Sequence, residues 1–279
     1  MFFSLLIMQV LGLAHKYPRS SETFLEKLPG CGNALLISEI LTSASKPALI
    51  ICSGIQEAQQ LQDELSFFMG NDFSGEIHFF PDWETLPYDA FSPHEDIVAD
   101  RIKLLASMNH NKNDIFIMTI STLMQRLPPK NITETEIFLL KVGDVFNLDE
   151  KRTSLIALGY QCVNEVMRHG EFSIRGAIID IFPSNSTLPY RIDLFDNEVD
   201  SIRTFSIEDQ KSIEKISQIE LLPSKEFVFN QNSIQLFKQQ WQEQFSSNPL
   251  NCPFFKIISN GHTFGGIEYY IPLFFKTMG

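Results

Sequence analysis

The stretch PALIICSGIQEAQQLQDELSFFMGNDFSGEIHFFP, from Pro47 to Pro81, determines the expected fold of the first half of the chain. It opens and closes with short apolar runs, and apolar residues recur between them at helical spacing. A strand–helix–strand order with continuously apolar strands predicts a parallel sheet. The helical positions are Ile55, Ala58, Leu61, Leu65 and Phe68.

The flanking segments extend this alternation. NALLISEILTS, residues 33–43, predicts a helix before the first strand, and a second helix is expected from about Glu95 to Met108. DIFIMTI, residues 114–120, predicts a third buried strand. The expected fold class of this part is therefore α/β with a parallel sheet.

The pattern changes after Arg126. LPPKN is typical of a linker, and residues 131–218 read as short alternating strands joined by turns, which predicts a small inserted α+β domain. The chain then becomes rich in helical pattern again. One helix is expected to carry an apolar face made of Ile234, Phe237, Trp241 and Phe245.

Charge and composition favour a protein partner over nucleic acid. The 279 residues carry a net charge of −12, and binding to phosphate backbone depends on Lys and Arg.

The four cysteines lie far apart and lack metal-ligand spacing, which indicates reduced thiols, no metal site and a cytoplasmic protein. The apolar stretch MFFSLLIMQVLGLA resembles the core of a signal peptide, but it lacks a basic flank and a small-residue cleavage site and is too short to span a bilayer. The expected alternatives are a helix entering the fold and a start codon placed too far upstream.

The segment LPGCGNALL, residues 28–36, contains two glycines and stands before a predicted helix, where a phosphate-binding loop would lie, but Lys27 occupies the position of that loop's first glycine. A working loop of this kind follows GxxxxGK[ST], in which Lys reaches the terminal phosphates and the hydroxyl group holds magnesium. Here Gly30 and Gly32 are followed by Asn33 and Ala34, so both chemical groups are missing. The segment is predicted to be a degenerate nucleotide loop, without ATP hydrolysis, catalytic residues or a bound cofactor.

The acidic and aromatic stretch FPDWETLPYDAFSPHEDI, residues 80–97, allows three interpretations: a catalytic acidic loop, a nucleic-acid clamp and a rigid elbow. No second histidine accompanies His94 to complete a metal or acid–base site. Each proline restricts its own φ angle and the backbone of the residue before it. The elbow is the favoured interpretation.

Two segments of the predicted insertion, EFSIRGAIIDIFP at 171–183 and PYRIDLFDNEVDSIRTF at 189–205, have strand alternation. Because alternate residues of a strand share a face, an inward Phe172 and Ile192 would turn Arg175, Arg191 and Phe195 outward. An outward Phe among arginines is typical of a protein-binding hot spot. An ordinary solvated sheet face, with Phe195 tucked under the following turn, explains the pattern equally well.

Several long motifs resemble the N-terminal module of the bacterial transcription-repair coupling factors, a module that is itself similar to the B component of excinuclease ABC. They include DWETLPYDAFSPHEDI, STLMQRL, GYQCVNEVMRHGEFSIRGAIIDIFP, PYRIDLFDNEVDSIRTF and GIEYYIPLFF. The resemblance implies an adaptor that recruits the A component of excinuclease ABC and is not itself an enzyme. By motif, it assigns partner binding to Arg175, Arg191 and Phe195. It also implies that the elbow stands where the B component has a long aromatic hairpin.

The resemblance further implies a division of the chain into parts with different roles. A longer parent is expected to bind RNA polymerase and duplex DNA and to hold an ATP- and magnesium-dependent motor. That motor would make the parent a DNA translocase, which is the alternative function, and the second lobe of this chain is expected to be truncated. The parts are an N-terminal extension or helix (1–28), a degenerate helicase-like α/β lobe (29–126), an inserted domain that binds the A component of excinuclease ABC (127–217) and a return into the second lobe (218–279).

Overall fold

A computed structural model of the protein describes residues 28–44, 47–70, 73–87, 89–108, 113–129, 138–245 and 249–276. The N-terminal helix predicted within residues 1–28 falls outside this part of the chain, apart from Leu28 itself. The structure divides into two compact units. Unit 1 runs to Asp82 and includes Ser107–Gln125, whereas unit 2 comprises Trp83–Ala106 and the chain from Arg126 onward. The division into four segments made from the sequence stays a prediction.

The helices and strands alternate first and then give way to a run of strands. In chain order they are α1 (Gly32–Ala44), β1 (Ala48–Cys52), α2 (Ile55–Met69), β2 (Ile77–Phe79), α3 (Glu95–Ser107), β3 (Ile115–Thr119), α4 (Ile120–Leu123), β4 (Phe138–Lys141), α5 (Leu148–Ala157), β5 (Gln161–Cys162), β6 (Glu171–Arg175), β7 (Ile178–Ile181), β8 (Tyr190–Phe195), β9 (Glu198–Phe205), β10 (Ser212–Ile216), β11 (Gln218–Leu221), α6 (Gln231–Gln244) and α7 (Pro253–Ser259), with 3-10 helices at Pro249–Asn251 and Ile267–Phe274.

Unit 1 contains the predicted parallel sheet. Its strand order is β1-β3-β2, and β3 pairs in parallel with both neighbours. All five residues of β3 are buried, which agrees with the four apolar residues that precede Thr119 in its sequence. Ala58 and Leu65 of α2 pack into the core of this unit, whereas Ile55 is exposed because it stands at the first position of the helix.

Unit 2 contains a mostly antiparallel sheet of six strands in the order β10-β9-β8-β7-β6-β5, in which only the short β5–β6 pair is parallel. A separate antiparallel pair joins β4 to β11. One face of the large sheet packs on α5 through a core that includes Leu155, Phe172, Ile179, Ile192 and Ile202. The protein is thus a mixed α/β protein with both parallel and antiparallel sheets.

The acidic and aromatic stretch packs into unit 2 through Trp83. The Trp83 Nε1 atom donates a hydrogen bond of 2.9 Å to Glu226 Oε1. The buried Arg101 of α3 donates from Nε to the same oxygen at 2.5 Å, and its guanidinium carbon lies 5.0 Å from the centre of the Trp83 ring. Pro81 to His94 hold no helix or strand among the described residues, which fits an elbow.

An aromatic core around α6 completes unit 2. Phe237 and Trp241 are buried against Phe255 and Phe274. The helix ends at Gln244, so Phe245, which was predicted on the inward face, is an exposed capping residue instead. Within the described part of the chain, no helix is both long enough and apolar enough to cross a membrane.

Candidate protein-interaction surface

The face of the six-stranded sheet that lies opposite α5 carries the polar residues of β6 to β9. Residues paired directly across neighbouring strands share a face, so the register sorts them into rows. We call this side of the sheet the arginine face. One row is Ser173, Asp180, Arg191 and Arg203, and the next is Arg175, Ile178, Asp193 and Ser201.

Asp180 lies within the first row and binds both Arg175 and Arg191. Its side chain is 1% exposed. Arg191 donates from Nε to Asp180 Oδ1 at 2.7 Å and from Nη2 to Oδ2 at 3.0 Å, while Arg175 donates from Nη2 to the same Oδ2. A buried carboxylate is stable only with such partners, so the two guanidinium groups neutralise one buried charge between them.

Arg191 is mostly covered by neighbouring residues. Its Nη1 atom donates to the carbonyl oxygen of Gln210 at 2.9 Å, and its guanidinium carbon lies 4.6 Å from the centre of the Phe205 ring. The hydrogen bonds with Asp180 raise the pKa of the Arg191 guanidinium. Only 16% of the side chain is exposed. The expectation that Arg191 is displayed outward is therefore wrong, although it does lie on the predicted face.

Arg175 and Phe195 are displayed at one end of the arginine face. Each ends its strand, and a tight turn with a positive φ follows, at Gly176 and Asp196 respectively. The side chain of Arg175 is 47% exposed and Phe195 is 74% exposed. Phe195 is not tucked under its turn, so the alternative of a covered phenylalanine is wrong. We refer to this end as the hairpin end, because the β6–β7 and β8–β9 turns lie there.

The sequence reasoning missed Asp180, although a signal was present. β7 has the sequence IIDI, and a single carboxylate between Ile179 and Ile181 is unusual in a strand whose other residues are apolar. No local sequence pattern indicates the roles of Phe205 and Gln210, because both reach Arg191 from later parts of the chain.

The predicted degenerate nucleotide loop does precede a helix. Gly30 has a φ of 57°, and Gly32 begins α1 with its N–H donating to the carbonyl of Pro29 at 3.2 Å. The Asn33 side chain accepts a hydrogen bond from the Leu28 N–H at 3.4 Å, and Ala34 is fully buried in the core of unit 1. The loop thus presents neither a cation nor a hydroxyl group at the two positions where phosphate chemistry requires them.

The strands of the six-stranded sheet all lie within a segment that matches a known protein family. Residues 138–227 match the model of a family described as the UvrB interaction domain. The chain is 41% identical over 254 residues to the transcription-repair-coupling factor of Haemophilus influenzae, and 38% identical over 255 residues to that of Escherichia coli. The chain resembles the N-terminal module of the transcription-repair coupling factors.

The similarity covers most of this chain and a small part of each coupling factor. The alignments include 90% and 91% of the chain, and they span 22% of each of these two relatives. A third coupling factor, from Bacillus subtilis, is 31% identical over 74% of the chain and 17% of its own length. Asp180 and the three predicted partner-binding residues all fall inside the segment that matches the UvrB interaction domain.

Proposed function

We propose that this chain is an adaptor module of transcription-coupled nucleotide excision repair, which recruits UvrA, the A component of excinuclease ABC, to stalled RNA polymerase. The observation that carries the proposal is the exposed Phe195 at the same end of the arginine face as the half-exposed Arg175, inside the segment that matches the interaction domain. When a partner covers a large, exposed aromatic ring, apolar surface is removed from water, and this lowers the free energy of the complex.

The proposal gives different roles to the three residues named by motif. Phe195 supplies the apolar contact that a partner would bury. Arg175, whose side chain is half exposed, supplies an ion pair and sets orientation. Arg191 acts from inside by fixing Asp180, which in turn holds the guanidinium of Arg175. It is a positioning residue and not a contact residue.

The same proposal makes the chain non-catalytic. Unit 1 is taken as a degenerate helicase-like lobe, and support comes from its parallel sheet and from the nucleotide loop that lacks its Lys and hydroxyl residues. The chain aligns with only 22% of the length of the coupling factors from Haemophilus influenzae and Escherichia coli. ATP and magnesium binding, DNA translocation, and the binding of RNA polymerase and duplex DNA are assigned to a longer parent and not to the residues described.

A calorimetric titration of the chain with purified UvrA tests the proposal. We expect saturable binding that survives physiological salt, because an apolar contact supplies much of its free energy. A cooperative thermal melt of the same preparation must accompany the titration, since it separates a folded chain that does not bind from a chain that does not fold. A folded chain that gives no binding heat with UvrA, and does not co-elute with it in size-exclusion chromatography, would contradict the proposal.

A further inference from the structure

Val145 is as exposed as Phe195, at 76%, although it precedes α5 and lies outside the strands of the large sheet. An isolated bridge nevertheless pairs it with Glu198 at the start of β9. Two backbone hydrogen bonds form this bridge, from Phe146 N to Asn197 O at 2.6 Å and from Val199 N to Asp144 O at 2.9 Å. The backbone therefore holds Val145 in register with the sheet.

The register places Val145 on the arginine face. Glu198 pairs with Phe195 on one side and with Val145 on the other, and residues paired in this way project to the same side of a sheet. The neighbours agree, because Phe146 and Val199 are both buried in the core on the opposite side. Phe195, Glu198 and Val145 thus form a row across the hairpin end.

Ile178 extends this apolar surface along the sheet. It pairs with Arg175 on β6 and with Asp193 on β8, so it also lies on the arginine face, and it is partly exposed. At the end of the arginine face that lies away from the hairpin end, other segments of the chain cover the sheet. There the Ser173 hydroxyl donates to the carbonyl of Asn164 at 3.0 Å, and Gln210 lies over Arg191.

We propose that UvrA binds an apolar strip made of Ile178, Phe195 and Val145, with Arg175 at its edge. This inference rests on the proposed function and extends it, because it adds Ile178 and Val145 to the contact residues at the hairpin end. The partner surface that fits is a shallow apolar groove for the three side chains. It carries a carboxylate opposite Arg175 and a hydrogen-bond donor opposite Glu198.

The test is the affinity of Val145→Asp for purified UvrA, measured beside Ile213→Asp. Ile213 is an exposed apolar residue of β10, which pairs with the end of β9 remote from the β8–β9 turn, so the control adds the same charge to the same sheet. We expect Val145→Asp to bind at least about tenfold more weakly and Ile213→Asp to bind as the wild type does. Both variants should melt within a few degrees of the wild type, since each changes an exposed residue.

The outcomes separate this inference from the proposed function. If the wild type does not bind UvrA, both the proposed function and this inference are wrong. If the wild type binds, Phe195→Ala does not, and Val145→Asp binds normally, the proposed function stands and the strip is wrong. An equal loss in both Asp variants overturns the strip as well, because the effect would then be one of net charge. Self-association of the wild type that Val145→Asp abolishes, without loss of partner binding, would assign the strip to a second copy of the chain and overturn the inference.

Discussion

Arg191 Nε lies 2.7 Å from Asp180 Oδ1, and the two residues stand directly opposite each other on β8 and β7. The carboxylate is almost fully buried and the guanidinium is mostly buried. An ion pair in this position ties the two central strands of the sheet together. Removing Asp180 would leave the charge of Arg191 buried without this carboxylate, and removing Arg191 would leave the buried carboxylate with only the half-exposed Arg175. Either change is more costly than losing a surface ion pair.

Arg191→Ala is expected to destabilise unit 2 by about 3 kcal/mol, because Asp180 would lose two of its hydrogen bonds in a buried site. The melting temperature should fall by roughly 6–12 °C. Arg175→Ala is the matched control. It removes a half-exposed partner of the same carboxylate, so the cost should stay within about 1 kcal/mol. Equal losses in the two variants would show that Arg191 has no special structural role.

Phe195→Ala is expected to weaken binding of UvrA by about thirtyfold, or ~2 kcal/mol, because the variant loses the apolar contact. Its melting temperature should remain unchanged, since the ring touches little of the free protein. Ile192→Ala, on the buried face of the same strand, should instead destabilise the fold by ~2 to 5 kcal/mol. A Phe195→Ala variant that binds like the wild type would exclude this residue from the interface.

Glu226→Gln is expected to destabilise unit 2 by ~3 to 5 kcal/mol, because it removes the negative charge from the buried carboxylate that binds the guanidinium of Arg101. Chemical denaturation followed by tryptophan fluorescence measures the change, since Trp83 donates a hydrogen bond to the same carboxylate. Glu243→Gln serves as the control. Its carboxylate is exposed and accepts a hydrogen bond of 2.9 Å from Gln239, so its removal should cost little. A neutral effect of Glu226→Gln would contradict the assignment of a buried ion pair.

No ATP hydrolysis is expected from the chain as it stands. Asn33 carries no charge, and the buried Ala34 offers no hydroxyl group for magnesium. Phosphate release at saturating ATP and magnesium should equal the buffer blank. A magnesium-dependent signal that follows the protein through a second purification would disprove this prediction.

Duplex DNA is expected to bind only weakly. Residues 161–210 hold four Lys and Arg against nine Asp and Glu, a net charge of 4 − 9 = −5. Few phosphate contacts are available to such a surface, and any that form should be lost as salt increases. Fluorescence anisotropy with a labelled duplex measures this. Sub-micromolar affinity at physiological salt is the result that would refute it.

Local periodicity was enough to predict most of the elements. The apolar spacing in residues 55–69 predicted α2, and the apolar run at residues 115–118 predicted a third buried strand. Alternation along β8 placed Arg191 and Phe195 on one face and Ile192 on the other, as the structure has them. These features depend only on the helical and strand periods, which a sequence carries by itself.

Exposure on that face was decided by the tertiary structure. Alternation treats Arg191 and Phe195 alike, yet Gln210 and Phe205 arrive from later segments and cover only the first of them. Val145 joins the same face through a backbone bridge to Glu198, more than fifty residues away. Trp83 likewise meets Glu226 across 143 residues of chain. The sequence by itself determined which side of a strand each residue takes, because that is a two-residue period. Which of those sides remains open to a partner depends on distant segments that pack over them, and so only the folded protein decides it.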